Sequence, residues 1–280
     1  MLNTQPFFIV GSGRSGTQML EKLLSTLPSV EMHHEYLVNY IQPLAVEYYM
    51  GLDAREKLAA KIYEYYGAAI NYTDRPLWGD SSNKISWIID ILSETFPKSK
   101  FVHIVRDGRK VTSSFFHKLR DECYDDRSVA ILQAWVDDPQ SVLRPPPEKK
   151  YWWTLPRQGT PIAKDFRSFD QFQRICFHWG EVNRVILKHL EILPSKQRFF
   201  CRLEDLVKDE DLLRQLFIFL ELEYSPSFFE MLQRPHNVNR PQDQLLTKKQ
   251  CEQLEHISGD MMSYFGYDLR PEYIMKYESQ

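Results

Sequence analysis

Near the start of the chain, Gly11-Ser12-Gly13-Arg14-Ser15-Gly16-Thr17 sets three glycines around a cation and several hydroxyls. Glycine lets a backbone approach a ligand closely and take positive φ. Several N–H groups at the start of a helix, helped by Arg14, Ser15 and Thr17, are chemistry for holding an anion, usually phosphate. The spacing from Gly11 to Gly16 nearly fits the nucleoside-triphosphate loop G-x-x-x-x-G-K-[ST], but Thr17 follows Gly16 directly and the lysine is missing. The cation stands two residues before that glycine, at Arg14. A second basic cluster, Arg106-Asp107-Gly108-Arg109, is followed by Ser114 eight residues after Arg106. Between them lies His33-His34-Glu35. A carboxylate serves as a general base where partial burial raises its pKa towards the operating pH, and imidazole titrates near neutrality unaided. Glu35, His33 and His34 are the candidates for such a role.

These residues need a scaffold, and the hydrophobic pattern supplies one. Phe7 to Val10 reads as a buried strand, and Leu20, Leu23, Leu24 and Leu27 recur as one helix face. Ser29 to His34 predicts a second strand ending at Glu35, and Tyr36 to Tyr72 is helical, with Leu58, Ile62 and Tyr65 read as core. Leu77 to Asp80 predicts a short strand, and Ile85 to Leu92 a helix that ends before Pro97. Lys100 to Val105 is the central strand, with a helix beginning over Val111 to His117. Ser168 to Leu190 predicts one long buried helix, Gln197 to Leu203 the last strand, and Asp209 to Leu220 and Leu246 to Phe265 two more helices. Strands alternating with helices predict an α/β fold, a three-layer αβα arrangement with a central, mostly parallel sheet. Ligands in such sheets bind beyond the carboxyl ends of the strands, where both basic clusters leave. Residues 121–167, with Pro145-Pro146-Pro147, Trp152 and Trp153, show little periodicity after Trp135. The segment reads either as a lid or substrate-binding insertion or as a surface insertion that buries its tryptophans.

At 280 residues, 43% hydrophobic and 14% aromatic, the chain suits one α/β domain over residues 1–280. A net charge of −3 gives no global attraction for nucleic acid or a membrane, so any affinity for anions is local. Cys123, Cys176, Cys201 and Cys251 are far apart and form no C-x-x-C pair, which predicts thiols in a reducing compartment and no metal site. No segment reads as a targeting signal or a membrane span. The sequence-level expectation is a soluble cytoplasmic protein with no stable membrane insertion and no nucleic-acid partner.

The two motifs together, strand-GSGRSGT-helix and strand-RDGR-x-V-x-x-S-helix about ninety residues later, resemble the sulfotransferases that use 3′-phosphoadenosine 5′-phosphosulfate (PAPS). The resemblance continues through Trp78-Gly79-Asp80, the segment from Phe96 to Arg109, the stretch LEDLVKDEDLLRQLFIFLELEYSP and the C-terminal GYDL, and is weakest over 121–167. Arginine in the first loop with a glutamate soon after looks most like the bacterial carbohydrate and tyrosylprotein branches.

The resemblance implies a metal-independent transfer of a sulfuryl group from PAPS to a hydroxyl-bearing small-molecule or glycan acceptor, leaving adenosine 3′,5′-bisphosphate (PAP). It places the phosphosulfate on a P-loop-like motif of Gly13, Arg14, Ser15, Gly16 and Thr17, and the 3′-phosphate on Arg106 and Ser114. Arg14 and Glu35, with His33 in reserve, are the implied catalytic residues. Two departures stand out: Ser81-Ser82-Asn83 where a K-x-P lysine is usual, with Lys84 displaced, and Leu203 where tyrosine often precedes Glu-Asp-Leu. Adenine stacking then falls to another aromatic, Trp78 or one from the C-terminal third, with His236, Asn237 and Arg240 as further nucleotide contacts. An ATP-dependent small-molecule kinase would share the sheet and glycine loop, but needs the missing lysine and a magnesium-binding carboxylate. A non-catalytic nucleotide-binding protein of the same fold is the third reading.

Overall fold

The computed structural model describes residues 4–233 and 245–269. In chain order they form β1 (Gln5–Val10), α1 (Thr17–Leu24), β2 (Val30–His34), α2 (Val38–Met50), α3 (Arg55–Ile62), α4 (Ala68–Tyr72), β3 (Leu77–Ser81), α5 (Ile89–Thr95), β4 (Lys100–Val105) and α6 (Gly108–Leu119). There follow α7 (Asp126–Asp137), α8 (Pro161–Phe166), α9 (Gln171–Glu191), β5 (Arg198–Arg202), α10 (Leu203–Leu206), α11 (Glu210–Phe219), α12 (Pro226–Gln233) and α13 (Lys248–Tyr264). The described residues group into two compact units, one of 4–37, 55–106 and 185–233, the other of 38–54, 107–184 and 245–269.

The first unit holds the whole sheet. Its order is β2-β3-β1-β4-β5 and every pairing is parallel. β1, β3 and β4 are almost wholly buried, as strands covered on both faces must be, whereas β2 and β5 at the edges are only partly covered. Side chains alternate between faces. Phe7, Ile9, Val102 and Ile104 join Leu20, Leu23 and Leu24 of α1 and Leu213, Leu216 and Phe217 of α11 in one core. On the other face Phe8 meets Phe101 at 5.5 Å, Tyr66 at 5.9 Å and Phe96 at 6.4 Å between ring centroids. Helical layers thus cover both faces of an all-parallel sheet.

The expected helix over 36–72 is broken at Gly51 to Ala54, and Tyr63–Gly67 is a turn of π-helix. The expected helix from Ile85 begins as a 3₁₀ turn, Ile85–Trp87, before α5. α12 was not foreseen.

The second unit is helical and carries residues 121–167. α7, a 3₁₀ turn at Lys149–Tyr151 and α8 order this segment. Trp135, Trp152 and Trp153 are all buried. The Trp152 and Trp153 indoles donate to the carbonyls of Pro146 and Glu122, each at 2.8 Å. Arg144 lies 4.7 Å from the Trp152 ring while its Nε donates to Glu47 at 2.6 Å. The tryptophans of this insertion are thus packed and hydrogen-bonded within the second unit.

Candidate active site

The loop after β1 is built on three left-handed residues, Gly13 (φ 80°), Arg14 (φ 55°) and Gly16 (φ 106°). At Gly16, which starts α1, a Cβ would lie 2.8 Å from Leu203 Cδ1 and 3.0 Å from Ile104 Cδ1, so the loop is pressed against the sheet. A Cβ at Gly11 would meet the Ile104 carbonyl oxygen at 2.6 Å.

The segment after β3 holds this loop in shape. Ser86 Oγ accepts from the Gly11 N–H at 3.2 Å and donates to the Gly11 carbonyl at 3.1 Å. Asn83 Nδ2 donates to the Ser12 carbonyl at 3.4 Å, and Ser81 Oγ to the Thr17 carbonyl at 2.8 Å. Ser82 Oγ accepts the Lys84 N–H at 3.0 Å. Ser81 to Ser86 are all buried, Lys84 included. The departure from the K-x-P pattern is therefore a polar scaffold under the loop, and Ser81 spends its proton there.

Arg106, just past β4, donates Nη1–H to the Arg14 carbonyl at 3.1 Å. This braces Arg14 in a conformation that costs a non-glycine residue roughly 1–3 kcal/mol. Burial first, and then the charge of Arg106, hold the Arg14 guanidinium below its ordinary pKa. Two cations this close are an electrostatic strain that a bound anion relieves. Ser15 is fully buried, and its Oγ makes no hydrogen bond. An orphaned hydroxyl in a glycine cradle has a proton to give to an acceptor oxygen. The residues fit a phosphate or sulfate group.

β1 leads by its crossover towards β2, on one side of the sheet, and β4 towards β5, on the other. The two strands are neighbours, so the loops bearing Arg14 and Arg106 flank the point where the winding reverses, which is where open α/β sheets bind ligands.

Glu35 lies at the same sheet edge. Its N–H donates to the Ser81 carbonyl at 3.2 Å, extending the β2–β3 ladder by one residue. Its backbone is left-handed (φ 56°), as is that of Leu37 (φ 48°), so the chain turns sharply around Tyr36. His33 points elsewhere: its Nε2 bonds Glu31 at 2.9 Å, and its ring lies 5.1 Å from Trp78 and 4.9 Å from Tyr36. His34 is exposed.

Trp78 corrects an expectation. It is fully buried among Phe8, His33, Tyr36 and Tyr66, so it cannot stack on adenine. His236, Asn237 and Arg240 lie outside the described residues.

In the second unit, Ser114 is buried on α6. The rest of the RDGR motif is structural. Asp107 caps α6 by accepting the Arg109 N–H at 2.9 Å, and its carboxylate takes Arg109 Nε at 2.9 Å and Nη2 at 2.7 Å. Arg109 Nη2 also donates to the Tyr267 carbonyl at 3.0 Å, tying the motif to the C-terminal GYDL. The structure thus gathers Gly13 to Thr17 and Arg106 into one contact set, with Glu35 on the same edge.

Sequence reasoning passed over Asp80, Tyr66 and Ser86. A carboxylate inside the apolar strand LWGDS is itself a signal, because a buried charge demands partners.

Residues 6–144 match the model of the Sulfotransferase family. No curated protein matches the chain. Two solved structures share its fold at 13% identity. One is sulfotransferase STF9 from Mycobacterium avium, with a TM-score of 0.51 over 94% of this chain and 77% of that one. The other is mouse sulfotransferase SULT7A1, solved in complex with PAP, with a TM-score of 0.50 over 98% of this chain and 90% of that one.

Proposed function

We propose that this chain, which belongs to the sulfotransferase family, moves a sulfuryl group from PAPS to the hydroxyl of a carbohydrate, glycolipid or small natural product. The observation that carries the donor side is the cradle of Gly13 to Thr17, with its orphaned Ser15 hydroxyl and with Arg106 bracing the Arg14 backbone. Backbone N–H groups of Ser15, Gly16 and Thr17 and the start of α1 would hold the 5′-phosphosulfate. Arg106, with Ser114, would hold the 3′-phosphate.

In the reaction the acceptor oxygen attacks sulfur in line. The bond from sulfur to the 5′-phosphate oxygen breaks, and its electron pair leaves on that oxygen. By analogy with phosphoryl transfer, catalysis is positioning plus neutralisation of the charge that appears there. Arg14 is the residue for that charge, and no metal takes part. The acceptor proton passes to Glu35; His33, engaged with Glu31, is the weaker candidate.

On the acceptor side, a cleft of about 850 Å³ in the second unit, bordered by Gln133, Leu155, Thr160, Lys164 and Arg167, supports giving residues 121–167 a substrate role. Among the described residues no helix is long and apolar enough to cross a membrane. None of the four cysteines is in a disulfide, which suits a reducing, cytoplasmic setting.

The test is calorimetric titration of PAP and of adenosine 5′-monophosphate. Arg106→Ala loosens the Arg14 loop and so weakens both ligands, but only the bisphosphate also loses a charge-assisted contact of roughly 2–3 kcal/mol, about thirty- to a hundred-fold. The ratio of the two affinities should collapse by that factor. An unchanged ratio, or a wild type that does not prefer PAP, refutes the assignment.

A further inference from the structure

The end of β3 carries a carboxylate that the reaction above leaves unused. Asp80 is fully buried, yet it is not idle. Its Oδ1 accepts the Tyr36 N–H at 3.1 Å and its Oδ2 accepts the Tyr66 hydroxyl at 2.8 Å. Tyr36 is the residue between the two left-handed positions Glu35 and Leu37, so Asp80 grips the middle of the turn that presents Glu35. Tyr66 reaches it from the π turn at Tyr63–Gly67. An inserted π turn is a common device for aiming a side chain at a functional site. The charge on Glu35 opposes that on Asp80.

We propose that Asp80 is the positioning residue for Glu35: it holds the left-handed turn that presents the base. The inference rests on the reading of Glu35 as the base. Burial drives the Asp80 carboxyl up to about 7, against the opposing pull of the Tyr36 and Tyr66 hydrogen bonds, and Glu35 raises it further. The titratable groups that face it are Tyr66 from the π turn, Tyr36 and Glu35 from the turn after β2, and His33, its register partner on β2, with Glu31 behind.

Water can stand in for the acceptor, with release of PAP and sulfate from PAPS followed against pH in wild type, Asp80→Asn, Asp80→Ala and Glu35→Gln. Asparagine keeps an oxygen for the Tyr36 N–H and loses the charge. Asp80→Asn should hold kcat within about threefold of wild type, with PAP affinity unchanged within about twofold. Asp80→Ala loses the grip as well, and its kcat should drop about tenfold or more. A readout independent of turnover accompanies these: the melting temperature of Asp80→Asn relative to wild type should rise between about pH 5 and pH 8. If Glu35→Gln is inactive while Asp80→Ala turns over at the wild-type rate, the role of Asp80 is refuted and the base stands. If Glu35→Gln retains full rate, the base reading fails and takes this inference with it.

Discussion

At the scale of single residues, the candidate site was legible wherever a residue type is rare in its context. Arginine and serine among glycines, and a glutamate at the end of a strand, declare themselves. Ser86 and Arg109 do not, because their work is done through contacts to Gly11 and to Tyr267, distant in sequence. The same geometry separates the rival bases. Glu35→Gln keeps shape and removes basicity, so kcat for PAPS cleavage should fall about 10²–10⁴-fold while PAP binding is preserved. His33→Asn loses the Glu31 bond and packing on Trp78, which are contributions to stability. Its kcat should stay within about tenfold of wild type while its melting temperature drops. Pre-steady-state rates for the two variants check this, and the opposite ranking would transfer the role to histidine.

Elements were read most surely where pattern and burial coincide. Among the described residues all five strands fall on the predicted segments, and β4, over the same residues, was plainest, because a strand covered on both faces must be apolar throughout. The order of residues 121–167 was missed for the converse reason. Its tryptophans are fixed by indole bonds to Pro146 and Glu122 and by stacking beside Arg144, none of which leaves a period in the sequence. The loop after β1 gives the prediction at this scale. Gly16→Ala would put a Cβ at φ 106° against Leu203 and Ile104, and should destabilise the protein by about 1–3 kcal/mol. PAP affinity should fall more than stability alone explains, since the first helical N–H groups shift with the loop. Urea unfolding and calorimetry on the same variant check both. A Gly16→Ala protein that binds PAP as tightly as wild type would mean that the loop does not contact the nucleotide.

For the whole molecule, a net charge of −3 hides local fields of both signs, basic around Arg14 and Arg106 and acidic around Asp80. The acidic one makes folding respond to pH. Asp80 titrates near 3.8 when unfolded and at about 7 in the fold, so between those values the native state binds the extra proton. Its contribution is fully present below pH 3.8 and is lost as pH rises to about 7. The amount lost is on the order of 4 kcal/mol, at about 1.4 kcal/mol per pH unit. Chemical denaturation from about pH 4 to pH 8 should show this decline in wild type and its removal in Asp80→Asn. Parallel curves would show that Asp80 does not titrate in that window.

Asp80 and Ser81 are adjacent on β3 and face opposite ways, one gripping the turn at Glu35 and the other the first residue of α1. Gly79 between Trp78 and Asp80 admits nothing larger, since a Cβ there would lie 2.3 Å from Phe7 Cζ. A β3 paired one residue out of place would drive an indole or a carboxylate into that space and exchange the two grips. The glycine loop and the turn at Glu35 would be lost in the same error. Catalytic activity is therefore a proofreader of sheet assembly: the active fraction recovered after refolding counts the chains that have paired correctly, and no half-active misfolded population should accompany them.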